Sequence, residues 1–352
     1  MCIRDSNSLT AMKQLFKKLS AGQSLDEAET LSVFEGMIGS EAEISDAMIG
    51  AYLMATGGRL PTADELVGGA SALRKHMNKV ELKDFDFEGG VVDTCGTGGS
   101  GLDTFSVSTA SAFVVAGTGQ KVAKHGNRAS TSRSGSADVL EALGVRLDIS
   151  SAQIAKCIDK ANFGFMFAPG HHPATKRVVG IRKELGFRTI FNFLGPLSNP
   201  AGARAQVLGV SEKEMCRPMA EALSRLGVER AMVVHGEDGL DEITLTGKSF
   251  IAEVKQKKII EYEISPEEFG LNRVEFAQIQ GDVPENNAKR IREILSGEPG
   301  PYRDLIVINA AAALYVAGKS ESLKEGVATA GVSIDSEWAK GVLETVIEIT
   351  NS

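Results

Sequence analysis

The stretch Val91-Val92-Asp93-Thr94-Cys95-Gly96-Thr97-Gly98-Gly99-Ser100-Gly101 couples an apolar strand-like run to a glycine-rich turn. Gly96 to Gly101 satisfies G-x-G-x-x-G, the spacing of dinucleotide-binding loops, but such loops need an acid about 20 residues further on for the ribose hydroxyls. That position falls in Gly119-Gln120-Lys121-Val122-Ala123-Lys124-His125, which supplies lysines instead. No Gly-Lys-Ser/Thr follows either, so the loop is not a Walker phosphate loop. On spacing alone it is a tight turn or a different anion site.

The residues downstream favour the anion site. Thr104, Ser106, Ser108 and Thr109 crowd the start of the next helical segment, where free N–H groups and the helix dipole favour negative charge. One hydroxyl suffices to cap a helix; four suggest contacts to a polyanion. The following strand ends in Lys124-His125-Gly126-Asn127-Arg128, and Ser130-Thr131-Ser132-Arg133-Ser134-Gly135-Ser136 opens a second helix. Two such loops side by side suit a ligand with two separated phosphate groups.

Working outward, strands and helices alternate. Val91–Cys95, Lys121–Ala123, Ala205–Val210 and Ala231–His235 read as strands. Thr109–Ala116, Ala137–Leu143 (ended by Gly144) and Glu212–Leu226 read as helices. This alternation predicts a mostly parallel sheet whose ligands lie beyond the carboxyl ends of its strands. From Leu9 to His76 the pattern is helical instead. Ser24-Leu25-Asp26-Glu27 and Pro61-Thr62-Ala63-Asp64-Glu65 mark two helix starts, and Met48, Ala51, Tyr52 and Met54 fall at helical spacing. A charged stretch from Glu81 to Glu88 leads into the first strand.

The chain has 352 residues, enough for about two domains. Its 38 glycines exceed the roughly 7% usual in proteins and suggest close backbone approach to a ligand. A net charge of −8 argues against a general polyanion-binding surface, hence against a nucleic-acid partner. Cys2, Cys95, Cys157 and Cys216 are scattered, which predicts a reduced, cytoplasmic protein without a thiolate zinc site. The longest apolar run, Leu305–Gly318, is broken by Asn309 and at 14 residues is a buried helix rather than a membrane span. The first residues, Met1-Cys2-Ile3-Arg4-Asp5-Ser6, lack a signal-peptide core. Residues 1–8 read as a leader, disordered or extraneous.

The motifs Val92 to Gly99, Thr104 to Thr109 and Lys124 to Arg128 resemble the anthranilate phosphoribosyltransferases. So do Phe167-Ala168-Pro169, His172-Pro173-Ala174, Arg182 to Thr189, Asn192 to Pro200, Val234-His235-Gly236 and Gly239-Leu240-Asp241-Glu242. The resemblance runs in order over nearly the whole chain past the leader. It implies a small, mainly helical N-terminal domain (1–85, with about 173–199 returning to it) plus a larger α/β domain (86–352) around a central mostly parallel sheet. This is the nucleoside phosphorylase/anthranilate phosphoribosyltransferase fold, with the site in the cleft between the domains. The implied reaction is a pentosyl transfer from 5-phosphoribosyl 1-pyrophosphate (PRPP) to the amine of anthranilate, in tryptophan biosynthesis.

The resemblance also implies site residues. The donor would meet Gly96, Gly99, Ser100, Thr104, Ser106, Val107, Ser108, Thr109 and Lys124. It would further meet His125, Gly126, Asn127, Arg128, Ala129, Ser130, Thr131, Ser132 and Ser136. Anthranilate would meet Gly96, Asn127, Arg182, His125 and His172, with the Arg182 guanidinium on its carboxylate. Asp241, Glu242 and Ser108 would hold Mg2+, two ions per subunit, beside the pyrophosphate. No strong general base stands out. A homodimer through the helical domain and domain closure over the donor are further expectations.

Two positions depart from the family pattern: Ser100 stands where an acid is usual, and Ser106 where Asn is usual. A pyrimidine nucleoside phosphorylase of the same fold would show Lys-His-Ser-Thr-Gly-Gly where this chain has Lys-His-Gly-Asn-Arg, and needs no Asp241-Glu242 pair. A nucleic-acid-binding relative of the same fold would need a basic groove. The adjacent histidines His171-His172 lack a spaced third ligand for a metal site.

Overall fold

In the computed structural model, residues 4–39, 44–82, 90–129 and 133–352 are described. Four helices come first: α1 (Arg4–Ser20), α2 (Glu27–Ile38), α3 (Asp46–Gly57) and α4 (Ala63–His76). Helix α1 begins inside the stretch read as a leader. Two of the starts are capping boxes. Asp26 takes the Glu29 amide while Glu29 returns to Asp26, and Thr62 and Glu65 do the same for α4. Helix α3 buries Ile49, Tyr52, Leu53 and Thr56. Met54, from the apolar set read in the sequence, is 65% exposed, one step round the helix from the buried stripe.

The rest of the chain builds a seven-stranded sheet in the order β3-β2-β1-β4-β5-β6-β7. Its strands are β1 (Val92–Gly96), β2 (Val122–Gly126), β3 (Phe163–Phe167), β4 (Ala205–Gly209), β5 (Arg230–Gly236), β6 (Ser249–Lys255) and β7 (Lys258–Ile264). The first five are parallel and the last two antiparallel. Between them lie α5 (Val107–Gly117), α6 (Ser136–Ala142), α7 (Ser151–Ala161), α8 (Ala168–His171), α9 (Lys176–Leu185), α10 (Phe191–Leu194) and α11 (Cys216–Arg225). Helices α12 (Pro284–Leu295), α13 (Pro301–Val316), α14 (Leu323–Asp335) and α15 (Trp338–Asn351) complete the chain.

Side chains alternate across the sheet, as a period of two requires. Val207, Met232, Val234 and Ile251 face one way, into a core with Phe113, Leu305, Ile308 and Leu343. Leu208, Ala231, Val233 and Ala252 face the other way, toward Met219 and Leu223 of α11. That second core runs on without a break into Phe34, Tyr52 and Leu66 of the first helices, and takes in Val178 of α9 and Phe191 and Leu194 of α10. Helices α9 and α10 thus share a core with α2, α3 and α4. Arg74 of α4 ties the two parts together, donating to the carbonyls of Leu197 and Leu226, both at 2.7 Å. Burial depresses its guanidinium to about 10.

Strand order reverses between β1 and β4, which leaves a crevice at their carboxyl ends. There Gly96 pairs with Gly209 in register.

Candidate active site

The two paired glycines leave room for one side chain, Asp241. A Cβ on Gly96 would collide with the Asp241 carboxylate, and one on Gly209 with its backbone carbonyl. Asp241 Oδ2 accepts the Gly98 amide at 2.9 Å. Beyond it Gly98, Gly99 and Gly101 take φ of +62°, +81° and +71°, the left-handed region where a side chain is costly. Next to Asp241, Glu242 Oε1 accepts the Ser108 amide at 3.1 Å, at the start of α5. The Ser106 hydroxyl does not cap this helix; a carboxylate 134 residues away does.

Lys124, fully buried at the end of β2, donates to Ser108 Oγ at 3.1 Å and to the Thr94 carbonyl. Thr94 Oγ1 in turn donates to the Ser108 carbonyl at 3.0 Å. Asp93, buried in β1, takes the His125 amide at 3.2 Å and the Asn199 side-chain amide at 2.8 Å. Burial raises the Asp241 and Glu242 carboxyls, Glu242 further because Asp241 is beside it. Burial lowers the Lys124 ammonium, against the pull of Asp93 and other nearby acids. The hydrogen bonds to both carboxylates come from backbone amides rather than from a cationic side chain. Such a pair fits a hard divalent cation, which takes oxygen ligands and leaves the remaining positions to water and substrate phosphates. No group of three or more His, Cys, Asp or Glu side chains among the described residues could hold a metal.

The second loop follows β2. Gly126 lies so close to Ser136 Oγ and the Phe165 ring that a Cβ would not fit. Ser136 Oγ donates to the Asn127 carbonyl at 3.2 Å, and Asp138 of α6 takes the amides of Ala129 and Gly135, both at 3.0 Å. Asn127 is exposed, its Oδ1 on the Arg128 amide at 2.8 Å. Arg128, expected at the donor, turns its guanidinium to Asp138 and Glu141 and over the Phe167 ring. Two carboxylates on α6 thus hold that charge. Thr104 lies in a bridge with Gln280, Val107 is buried at the first turn of α5, and Thr109 Oγ1 is buried without a partner. Ser130, Thr131 and Ser132 lie outside the described residues.

On the other side of β2, His125 Nδ1 is 3.1 Å from the Gly195 carbonyl and its ring is 5.1 Å from that of His172. Burial holds His125 down to about 3 and His172 to about 4, each lowered further by a neighbouring histidine. Both are neutral at pH 7. Arg182, on α9, lies over the Phe191 ring and donates to Asn192 Oδ1 at 3.1 Å. Asn192 Oδ1 also takes the Thr189 amide at 2.9 Å. Burial lowers the Arg182 guanidinium, and no acid among the described residues pairs with it. Arg182 Nε, Thr189 Oγ1 and His125 Nε2 are buried and without partners. So many orphaned polar atoms on one side of the cleft mark a place for a polar ligand.

Sequence reasoning passed over Arg188 as a site residue. Its guanidinium reaches the carbonyls of Gly98 and Gly99 at 3.3 and 3.4 Å and is held by Glu212 at 2.6 Å and Ser211 at 3.0 Å. It occupies the place a Gly99 side chain would take, with Cζ 2.7 Å from the ideal Cβ position. The signal was its place just past Gly186, the left-handed residue that ends α9. Ile243-Thr244-Leu245-Thr246, just past the carboxylates, alternates apolar and polar residues as a strand does. The structure has none there: the Thr244 and Thr246 hydroxyls bond Asp238, each at 2.6 Å, and the Ile243 backbone pairs with a side chain instead of a strand.

Comparison with known proteins gives the same picture. Residues 88–340 match the α/β domain of the glycosyl transferase family, and residues 13–77 its helical bundle domain. The anthranilate phosphoribosyltransferase of Rubrobacter xylanophilus is 49% identical over 96% of this chain and 97% of its own length. The crystal structure of anthranilate phosphoribosyltransferase from Thermus thermophilus is 41% identical, with a TM-score of 0.89 over 96% of this chain and 99% of that one. The Saccharomyces cerevisiae enzyme, solved in complex with PRPP and Mg, is 28% identical, with a TM-score of 0.86 over 97% of this chain and 98% of that one. Domain matches on both sides of the cleft, and likeness along nearly the full length, place this chain in the glycosyl transferase family, among the anthranilate phosphoribosyltransferases.

Proposed function

We propose that the chain transfers the phosphoribosyl group of PRPP to the amine of anthranilate, releasing pyrophosphate, as a cytoplasmic step of tryptophan biosynthesis. The observation that carries this reading is the pair Asp241 and Glu242, seated by Gly98 and Ser108 at the switch point of the sheet. With Ser108 these carboxylates would hold Mg2+, two ions per subunit, which supply positive charge against the departing pyrophosphate.

The chain's own residues do the rest. The glycines at 96, 98 and 99 keep side chains out of the pyrophosphate's path, and Arg188 holds the carbonyls of Gly98 and Gly99. The hydroxyls of Ser106 and Thr109 and the loop through Ser136 take the remaining phosphate oxygens. Lys124, bonded to Ser108 Oγ, sets that hydroxyl's direction. On the acceptor side Arg182 meets the anthranilate carboxylate, for which a guanidinium fork is shaped. Neutral His125 and His172, with Asn127, line the approach to the amine. No residue of this set has the basicity to pull the amine's proton early. The C1–O bond therefore breaks ahead of attack, and the site works by positioning and by stabilising charge.

Met54 of α3, Val179 of α9 and the nearby Phe187 and Leu60 are exposed apolar residues on the helical part. They support a homodimer formed through it. Among the described residues no helix is long and apolar enough to cross a membrane.

The test is stoichiometry. Given PRPP, Mg2+ and anthranilate, the protein should consume anthranilate fluorescence and release pyrophosphate in equal amounts. Pyrophosphate release with no loss of anthranilate would show that the acceptor has been misread.

A further inference from the structure

Asn309 is the polar break in the apolar run of α13, and it is 3% exposed. Its Oδ1 accepts the Ile243 amide at 2.9 Å, and its Nδ2 donates to the Ile243 carbonyl at 2.8 Å and to the Leu305 carbonyl at 2.9 Å. Ile243 directly follows Glu242. The side chain thus gives Ile243 both hydrogen bonds that a neighbouring strand would give, in a loop that has no such neighbour. The same helix holds α5: Ser111 Oγ donates to the Ile306 carbonyl at 3.1 Å. Helix α5 starts beside Ser108, whose amide seats Glu242. One buried helix therefore fixes both the loop that carries the carboxylates and the helix end they rest on.

We propose that Asn309 is a positioning residue for the divalent-cation site, holding the Asp241–Glu242 loop in register with Ser108. The inference rests on the reading that these carboxylates bind Mg2+. Without the Asn309 amide, the Ile243 N–H and C=O are buried and unpaired. The loop then shifts to find new partners and takes Glu242 with it.

Asn287 of α12 supplies a matched comparison. It is equally buried and clamps Asp282 in the same two-point way, accepting its amide at 3.0 Å and donating to its carbonyl at 2.9 Å. It has no bond to the carboxylate loop.

The experiment measures Mn2+ binding by electron paramagnetic resonance, with PRPP present, for the wild-type chain, Asn309→Leu and Asn287→Leu. Asn309→Leu should weaken Mn2+ binding roughly 10- to 100-fold, as loss of a metal site's outer support does. Asn287→Leu should lose comparable stability and bind Mn2+ as the wild type does. Should Asn309→Leu not fold, Asn309→Asp, similar in size and still able to accept the Ile243 amide, is measured in the same way. Unchanged Mn2+ binding in the folded Asn309 variant, or equal weakening in Asn287→Leu, overturns the inference alone. Absence of Mn2+ binding in the wild type overturns the metal reading with it.

Discussion

Asp241 accepts the Gly98 amide at 2.9 Å from 143 residues further along the chain, and it does so across Gly96, whose missing side chain leaves it the space. The phosphate loop and the carboxylate loop are therefore one unit. Gly96→Ala should drive the carboxylate aside and lower kcat/KM by about 100-fold, the scale of a 1 Å misplacement at a reacting centre. The chain should remain folded, since the clash is at the cleft rather than in the core. Wild-type kinetics in a folded Gly96→Ala protein would show that Asp241 has slack the structure does not suggest.

Arg188 reaches two carbonyls of the glycine loop, the Glu212 carboxylate and the Ser211 hydroxyl, four partners where an ammonium has three donors. Arg188→Lys should raise KM for PRPP roughly tenfold, the scale of one lost charge-assisted bond. KM for anthranilate should stay near the wild-type value. A change confined to thermal stability would make Arg188 a purely structural residue.

Under the proposed function Arg182 serves the other substrate, anthranilate. Arg182→Lys should raise KM for anthranilate and leave PRPP binding unchanged, because its bonds run to Asn192 and not to the glycine loop. Calorimetric titration with PRPP plus Mg2+, then initial rates across anthranilate concentrations, separates the two. Equal damage to both substrates would count against the assignment.

The buried histidines set an acid limit on stability. With His172 held at about 4 and His125 at about 3, both below the ordinary value near 6.5, the unfolded chain takes up protons that the folded chain refuses. Stability then rises with pH through that window and is lost as pH falls from about 6.5 toward 4. Above pH 6.5 both states are neutral and the two residues contribute nothing to the slope. The urea midpoint should fall between pH 7 and pH 5, and fall less in His125→Asn/His172→Asn. Parallel slopes in the two proteins would place the acid sensitivity elsewhere.

Much of this was legible in the sequence because it is local. The capping boxes at Asp26/Glu29 and Thr62/Glu65 lie three residues apart, and the glycine loop with its hydroxyl-rich helix start fills one short stretch. What was misread depends on distant partners. Ile243 to Thr246 alternates like a strand, but its backbone partner is Asn309, 66 residues on, and its hydroxyls are taken by Asp238. Asn309 was visible as an interruption; only the fold shows what it interrupts the apolar run for.

Ser100 tests how much the departure from the usual acid matters. Its Oγ accepts the Leu102 amide at 3.3 Å, a local turn that an Asp carboxylate closes as well. Ser100→Asp should therefore leave stability within about 0.5 kcal/mol, as an uncoupled surface change does. A large loss in the denaturation midpoint would show that the loop depends on a neutral residue here.

In the proposed function Asp241 and Glu242 run the transfer by holding Mg2+ against the pyrophosphate. The most direct measurement follows anthranilate fluorescence with PRPP and Mg2+ for the wild type and for Asp241→Asn/Glu242→Gln, with folding of both checked by thermal melts. On this reading wild-type turnover should need both PRPP and Mg2+, and the folded double variant should show none. Turnover in that variant at a comparable rate would contradict it.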